Sequence, residues 1–290
     1  MSRTGKKLPN TLIIGVQKSA TTWLSKRLSQ HPDVYMVPGE VHYFDHENKF
    51  SKGVNWYSSL FKDVENESIL CEKSGAYFWT TCEGVKGEPA DKPQRIKALL
   101  PEVKLIVILR NPVVRAISGW NHNIRSGAIR PSFDINKIFS LDYSDLVKQH
   151  GILTRGLYHQ QLVEYLKHFS NEQILTLFFE TDVVENPTQG LAKVTKFLEI
   201  DSEFSFDKIE SAENRLKMTN FGVWARYFSD GLINKAMYKA DMIALSKLPL
   251  PTWKPAYPNT DTLDKLYEYY RAENTSLSKL LGNIPSGWTI

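Results

Sequence analysis

Short apolar runs alternate with amphipathic stretches along this chain. Residues 11–15 (Thr-Leu-Ile-Ile-Gly) and 104–109 (Lys-Leu-Ile-Val-Ile-Leu) are nearly continuous apolar segments with polar borders. That is the pattern of strands covered on both faces, as in a parallel sheet. Residues 173–179 read the same way, and 68–73 more weakly. Between these runs, helical spacing predicts helices over 21–29, 93–100, 112–125, 158–169 and 187–198. Two of them open with Asn-Pro, at Asn111-Pro112 and Asn186-Pro187, a capping residue followed by one whose fixed φ suits the first turn. A last helix over 262–281 carries Leu263, Leu266, Tyr270, Leu277 and Leu280, with Gly282 as its stop. Strands alternating with helices predict an α/β fold with a central, mainly parallel sheet between two helical layers.

Region 211–258 has the least regular pattern. Phe221, Trp224, Tyr227, Phe228 and Met237 recur at roughly helical spacing. A helical cap packed on the core is the plainer reading, and a lid or contact surface is the other. The 290 residues suit one large domain spanning 1–290.

Composition narrows the class. An apolar fraction of 42% and a charged fraction of 23% are those of a globular domain. The formal net charge of +4 is mild; with no dense basic run and no reader motif, nucleic acid is not an expected partner. No run reaches membrane-span length and none of the opening residues resembles a secretory signal, so the expected location is cytoplasmic. Cys71 and Cys82 are the two cysteines, and they are expected to be reduced thiols.

The chemistry begins where the first strand ends. Gly15-Val-Gln17-Lys18-Ser19-Ala20-Thr21-Thr22-Trp23 is a short turn leading into a helix. Unpaired N–H groups at a helix start carry partial positive charge, and a lysine and hydroxyls beside them make an oxyanion cradle. The turn resembles a P-loop but departs from the Walker spacing, because Gln17 rather than Gly precedes Lys18 and Gly15 lies three residues before it. The second long strand ends in Arg110, with Ser118 two turns into the next helix, where nucleotide triphosphatases commonly place a Mg²⁺-holding Asp. An arginine there offers a fork of donors to phosphate, so no metal is expected. Glu40 and His42, in Pro38-Gly39-Glu40-Val41-His42-Tyr43-Phe44-Asp45, have period-2 spacing. In an extended segment both would face one cleft as candidates for acid–base work. Lys73, at the end of the weaker strand, adds a further cation.

The motif order resembles that of sulfotransferases using 3′-phosphoadenosine 5′-phosphosulfate (PAPS), and is most like the heparan sulfate glucosaminyl branch. The likeness rests on residues 13–22, 39–45, Lys52-Gly53-Val54-Asn55-Trp56-Tyr57, Glu72-Lys73-Ser74-Gly75-Ala76-Tyr77-Phe78, residues 108–116 and Tyr270-Arg271-Ala272-Glu273-Asn274. It implies a P-loop-like three-layer fold and transfer of a sulfuryl group from PAPS to an acceptor hydroxyl or amine. By the same likeness, Gln17, Lys18, Ser19, Ala20, Thr21, Thr22 and Trp23 hold the 5′-phosphosulfate, and Arg110 and Ser118 the 3′-phosphate. Glu40 takes the place of the catalytic base, while Lys18, His42 and Lys73 line the reacting centre. The expected acceptor is a carbohydrate or glycoconjugate.

Two departures bear on the acceptor. Glycan-modifying relatives carry a basic, glycine-containing loop near the C-terminal third, for which Arg215, Lys217 and Lys254 are the candidates here. The cysteine pair bracketing that loop in secreted relatives and the membrane anchor are not found. The main alternative is a lipid, phenolic or small-metabolite acceptor with His42 as base. A P-loop small-molecule kinase is the reading from another reaction class, opposed by the Gln17-Lys18 spacing and by Arg110.

Overall fold

The computed structural model of the chain describes residues 6–207, 218–228, 240–241 and 251–288. Five strands form the sheet: β1 (Thr11–Gly15), β2 (Val34–Met36), β3 (Ile69–Lys73), β4 (Lys104–Leu109) and β5 (Ile174–Phe178). All pairings are parallel, in the order β2-β3-β1-β4-β5. The helices of the described residues, in chain order, are α1 (Thr21–Leu28), α2 (Glu47–Phe50), α3 (Gly53–Ser59), α4 (Lys92–Leu99), α5 (Pro112–Ser126), α6 (Ser144–Gln149), α7 (Tyr158–Leu166), α8 (Pro187–Leu198), α9 (Asn220–Phe228) and α10 (Thr260–Leu281).

Strand alternation builds three layers. Leu12, Ile14, Leu105, Val107 and Leu109 face one way, onto Ile96 of α4, Leu162 and Tyr165 of α7 and Leu277 of α10. Ile13, Ile106, Ile108 and Leu177 face the other way, onto Leu24 and Leu28 of α1 and Leu191, Val194 and Leu198 of α8. Both faces are apolar, as a sheet covered on both sides requires. A separate core joins Trp120 and Ile124 of α5 to Val223 of α9 and Leu266 and Tyr270 of α10.

The expected elements form within a few residues of their expected bounds. Asn111 caps α5, accepting from the Val113 and Val114 N–H groups, and Pro112 follows it. α10 starts two residues early because the Asn259 side chain accepts from Thr262 N–H. The run expected as strand through Phe179 stops at Phe178, where a wide-turned helical segment, Phe179–Glu185, begins. Region 211–258 contributes α9, with the helical spacing of Phe221, Trp224, Tyr227 and Phe228; Met237 lies outside the described residues. Cys71 and Cys82 are both buried and free. Among the described residues, no helix is long and apolar enough to cross a membrane.

β1 lies between β3 and β4, so the chain leaves their carboxyl ends on both sides of one crevice, where open α/β sheets bind ligands. The segment after β2 borders that crevice and is pinned to β3: Val37 N–H donates to the Cys71 carbonyl and Val41 N–H to the Lys73 carbonyl. Beneath it lies a polar cluster. Tyr43 stacks on Tyr57 with ring centroids 4.1 Å apart, and its N–H donates to the Tyr77 hydroxyl. Tyr57 and Tyr77 both donate to one oxygen of Glu72, at 2.8 and 3.0 Å.

Complete burial, reinforced by the nearby Asp45 charge, pushes the Glu72 carboxyl up to about 8 against the pull of the two phenols. Glu72 is thus a neutral acid in the folded protein at pH 7. The unfolded chain releases this proton near 4.5, so between these values the folded state binds more protons, and this group's contribution to stability falls as pH rises. Glu72→Gln, which keeps an acceptor for both phenols, is expected to become progressively more stable relative to the unsubstituted protein from pH 5 to pH 8. Thermal unfolding across that range checks this; parallel pH profiles would contradict the neutral acid.

Candidate active site

Three strand ends deliver the cations. After β1, the turn of residues 16–20 closes with Ser19 N–H donating to the Val16 carbonyl. Lys18 and Ala20 have φ of 76° and 67°, a left-handed conformation costly for residues with a Cβ. The turn leads into α1, whose start has no side-chain cap and no acidic residue in its first turn. Its leading N–H groups therefore lack an intrahelical partner, and the buried Ser19 hydroxyl has no hydrogen-bond partner either.

Arg110 follows β4 and donates to the Lys18 carbonyl at 2.9 Å. Its guanidinium lies 4.5 Å from the centre of the Phe179 ring, and its buried Nε is unpartnered. Its own carbonyl accepts from Tyr158, and the following N–H, that of Asn111, donates to Glu180. Ser118 is half-buried two turns into α5.

Burial, with the charges of Arg125 and Arg110, lowers the Lys18 ammonium to about 8. His122, next to Arg125 in the same helical stretch, is lowered to about 4 by burial and by the Lys18 and Arg125 charges. It is a neutral imidazole facing the same space. These unpartnered donors and crowded cations, at the turn, at the start of α1 and at Arg110, suit oxyanions. Among the other turn residues, Gln17 packs against Gly75, where an added Cβ would come within 3.4 Å of the Gln17 Cα. The Trp23 ring packs into the α1–α8 core. Thr22 lies 3.5 Å from Lys73 through its hydroxyl.

Glu40, His42 and Lys73 meet. The Glu40 carboxylate touches Lys73 Nζ at 3.2 Å through one oxygen and His42 Nε2 at 3.2 Å through the other. The other imidazole nitrogen, Nδ1, lies 2.9 Å from Asp45, whose same oxygen accepts from Ser74 at 2.7 Å. The extended segment expected from period-2 spacing is not what brings them together. His42 has a φ of 58°, and this turn swings its ring to reach Glu40 and Asp45 at once.

Burial alone would raise the Glu40 pKa; hydrogen bonds and charge from His42 and Lys73 overcome it and hold Glu40 down at about 2. Burial would likewise lower His42, but Asp45 and Glu40 raise it to about 9. At neutral pH the site holds an ionised Glu40 against a cationic His42. His46 stacks on His42, with centroids 4.4 Å apart and planes 5° from parallel. Ligand-type atoms of His42, Asp45 and His46 lie within 4.8 Å of one another. As stacked, the two parallel imidazoles do not direct their in-plane lone pairs at one point.

Asp45, Ser74, His122 and Arg125 were not among the residues expected to form the site. Asp45 had a signal, three residues beyond His42 in the same motif. His122 and Arg125 follow Ser118 at helical spacing, the face that turns toward Lys18. Of the candidate clamp residues, Lys254 is exposed and lines a cleft with Trp224 and Trp253, while Arg215 and Lys217 lie outside the described residues.

The chain is 32% identical over 208 residues to human heparan sulfate glucosamine 3-O-sulfotransferase 3B1, covering 70% of this chain and 50% of that protein. It is also 32% identical over 202 residues to human heparan sulfate glucosamine 3-O-sulfotransferase 6, covering 67% and 53%. The chain thus spans about half the length of these relatives. A sulfotransferase from Alicyclobacillus acidocaldarius superposes with a TM-score of 0.68 at 22% identity, over 97% of this chain and 99% of that one, and shares its fold. Residues 8–224 match the sulfotransferase domain family, which together with the two relatives establishes that this chain belongs to that family.

Proposed function

We propose that this chain transfers a sulfuryl group from PAPS to a hydroxyl of a carbohydrate acceptor, with Glu40 as the base. Family membership and the names of the relatives support the reaction and the acceptor class. The observation that carries the choice of base is the placement of the His42 ring between two carboxylates, Glu40 at 3.2 Å and Asp45 at 2.9 Å. An imidazole raised to about 9 already holds its proton at neutral pH, whereas Glu40 is ionised and its side chain remains 37% exposed.

PAPS supplies an activated sulfuryl group on a phosphate leaving group. Glu40 takes the acceptor's proton as its oxygen bonds to sulfur and the bond from sulfur to the phosphate oxygen breaks. A carboxylate held near 2 is a weak base, so its help comes when an acceptor hydroxyl takes over part of the contact now made by Lys73 or His42, weakening the pull of those cations. His42, kept cationic and oriented by Asp45, and Lys73 then offset the charge on the reacting groups. Lys18 and the N–H groups at the start of α1 neutralise charge growing on the leaving oxygen. Arg110 and Ser118 would hold the second phosphate.

Asp45 on His42 Nδ1 is also the arrangement that orients an imidazole for proton transfer, which favours the runner-up: His42 as base, acting on a phenolic or lipid hydroxyl. Single substitutions separate the two. Glu40→Gln is expected to lower kcat on a glucosamine-containing oligosaccharide by about 10²–10⁴-fold with binding of 3′-phosphoadenosine 5′-phosphate intact. His42→Asn is expected to cost less. Near-normal turnover by Glu40→Gln with abolition by His42→Asn would reverse the assignment, and turnover of phenols alone would remove the carbohydrate acceptor.

A further inference from the structure

The His42 ring has two anchors at its edge, Glu40 at 3.2 Å from Nε2 and Asp45 at 2.9 Å from Nδ1. Two anchors fix a line through the ring but not its plane. Each N–H bond lies in the ring plane at an angle to that line. Turning the ring about the line therefore swings both N–H bonds off their carboxylates, and a bent hydrogen bond weakens steeply. Only a contact on a ring face opposes this turn. The backbone supplies no such restraint: with φ of 58°, His42 sits where a residue with a Cβ stays only if its surroundings hold it.

His46 makes the face contact. Its ring lies on His42 with centroids 4.4 Å apart and planes 5° from parallel. An aromatic face carries π density that attracts a cation, so the stack favours a charged His42 lying flat against it. His46 is itself held in place. It precedes α2, and its carbonyl accepts from the Lys49 and Phe50 N–H groups. A helix of four residues has little stability of its own, and side chains tie this one down. Glu47 accepts from Arg95 of α4 at 2.9 Å, and Lys49 donates to the Val41 carbonyl at 2.7 Å. The Phe50 ring packs 5.4 Å from that of Tyr43, with the Arg95 guanidinium 4.4 Å from its centre.

We infer that His46 is a positioning residue of the reaction centre: its stacked ring fixes the plane in which His42 bridges Glu40 and Asp45. The inference rests on the reaction-centre assignment above, and either choice of base needs the His42 ring aimed. The contact runs through the ring face, so the His46 nitrogens are not what matters. A phenyl ring would serve in its place, and an aliphatic side chain of similar bulk would not. The charged and titratable groups around His42 are Glu40, Asp45, Glu72 and His46, with Lys73 on the far side of Glu40. Substitution at His46 leaves the others in place.

The test compares His46→Phe with His46→Leu in the full chain. Both are changes at a half-buried position, and thermal unfolding checks that each variant is folded. One readout is the protonation midpoint of the His42 ring, followed by NMR and assigned with His42→Asn. The midpoint is expected to fall by about one pH unit in His46→Leu and to hold in His46→Phe. The other readout is steady-state kinetics with PAPS and a glucosamine-containing oligosaccharide. In His46→Leu, kcat is expected to drop about tenfold with the KM for PAPS unchanged, and His46→Phe is expected to restore it. Equal losses in the two variants would place the effect in the imidazole nitrogens and overturn the inference. Either readout unmoved in His46→Leu would overturn it too. If the unsubstituted protein sulfates no saccharide, the acceptor reading fails by itself, and the His42 midpoint still decides for or against His46.

Discussion

Three cations crowd one side of the sheet, and their mutual repulsion governs the rest of the site. Lys18 is placed where burial and the charges of Arg125 and Arg110 lower its affinity for a proton. Arg110 leans on the Lys18 carbonyl with its Nε unpartnered, and α1 begins without an acidic residue to meet its dipole. Positive charge gathered in a partly dry crevice, only partly offset by Glu40 and Glu180, is unfavourable in isolation and becomes favourable when an anion arrives. The left-handed turn at Lys18 and Ala20 is kept by the same logic, since strain of this kind persists where the surroundings over-determine it.

Opposite that crowd stands Glu40, between two cations. Its contacts divide the labour: Lys73 takes one oxygen and His42 the other, while Asp45 and Ser74 hold the far side of the imidazole. The same contacts that ionise Glu40 also keep His42 charged, so one geometry determines which of the two can accept a proton. Behind them, the neutral Glu72 and its tyrosines support the segment from below without adding a negative charge to it.

Much of this was legible in the amino-acid order, for physical reasons. β1 and β4 are covered on both faces, so their residues had to be apolar and continuous. Asn111-Pro112 marks a helix start because capping and fixed φ are local effects. Cations at strand ends could be assigned to one crevice because a parallel sheet collects its carboxyl edges there. What escaped depends on distant partners. β2 has three residues and α2 four, too few to establish a period. The turn at His42 uses a conformation its residue type does not favour, and it is held by Asp45 and Glu40 rather than by its sequence neighbours. His122 and Arg125 gain their meaning from Lys18, more than a hundred positions earlier in the chain.

The central claim is that the crowded cations form a site for a nucleotide bearing separate phosphates at both ends of its ribose. Calorimetric titration of the full chain with 3′-phosphoadenosine 5′-phosphate, against ATP and without added metal, tests it most directly. The account predicts preference for the bisphosphate, weakened on the order of a hundredfold by Arg110→Ala and falling above about pH 8 as Lys18 loses its proton. Preference for ATP, or bisphosphate binding indifferent to Arg110, would contradict it.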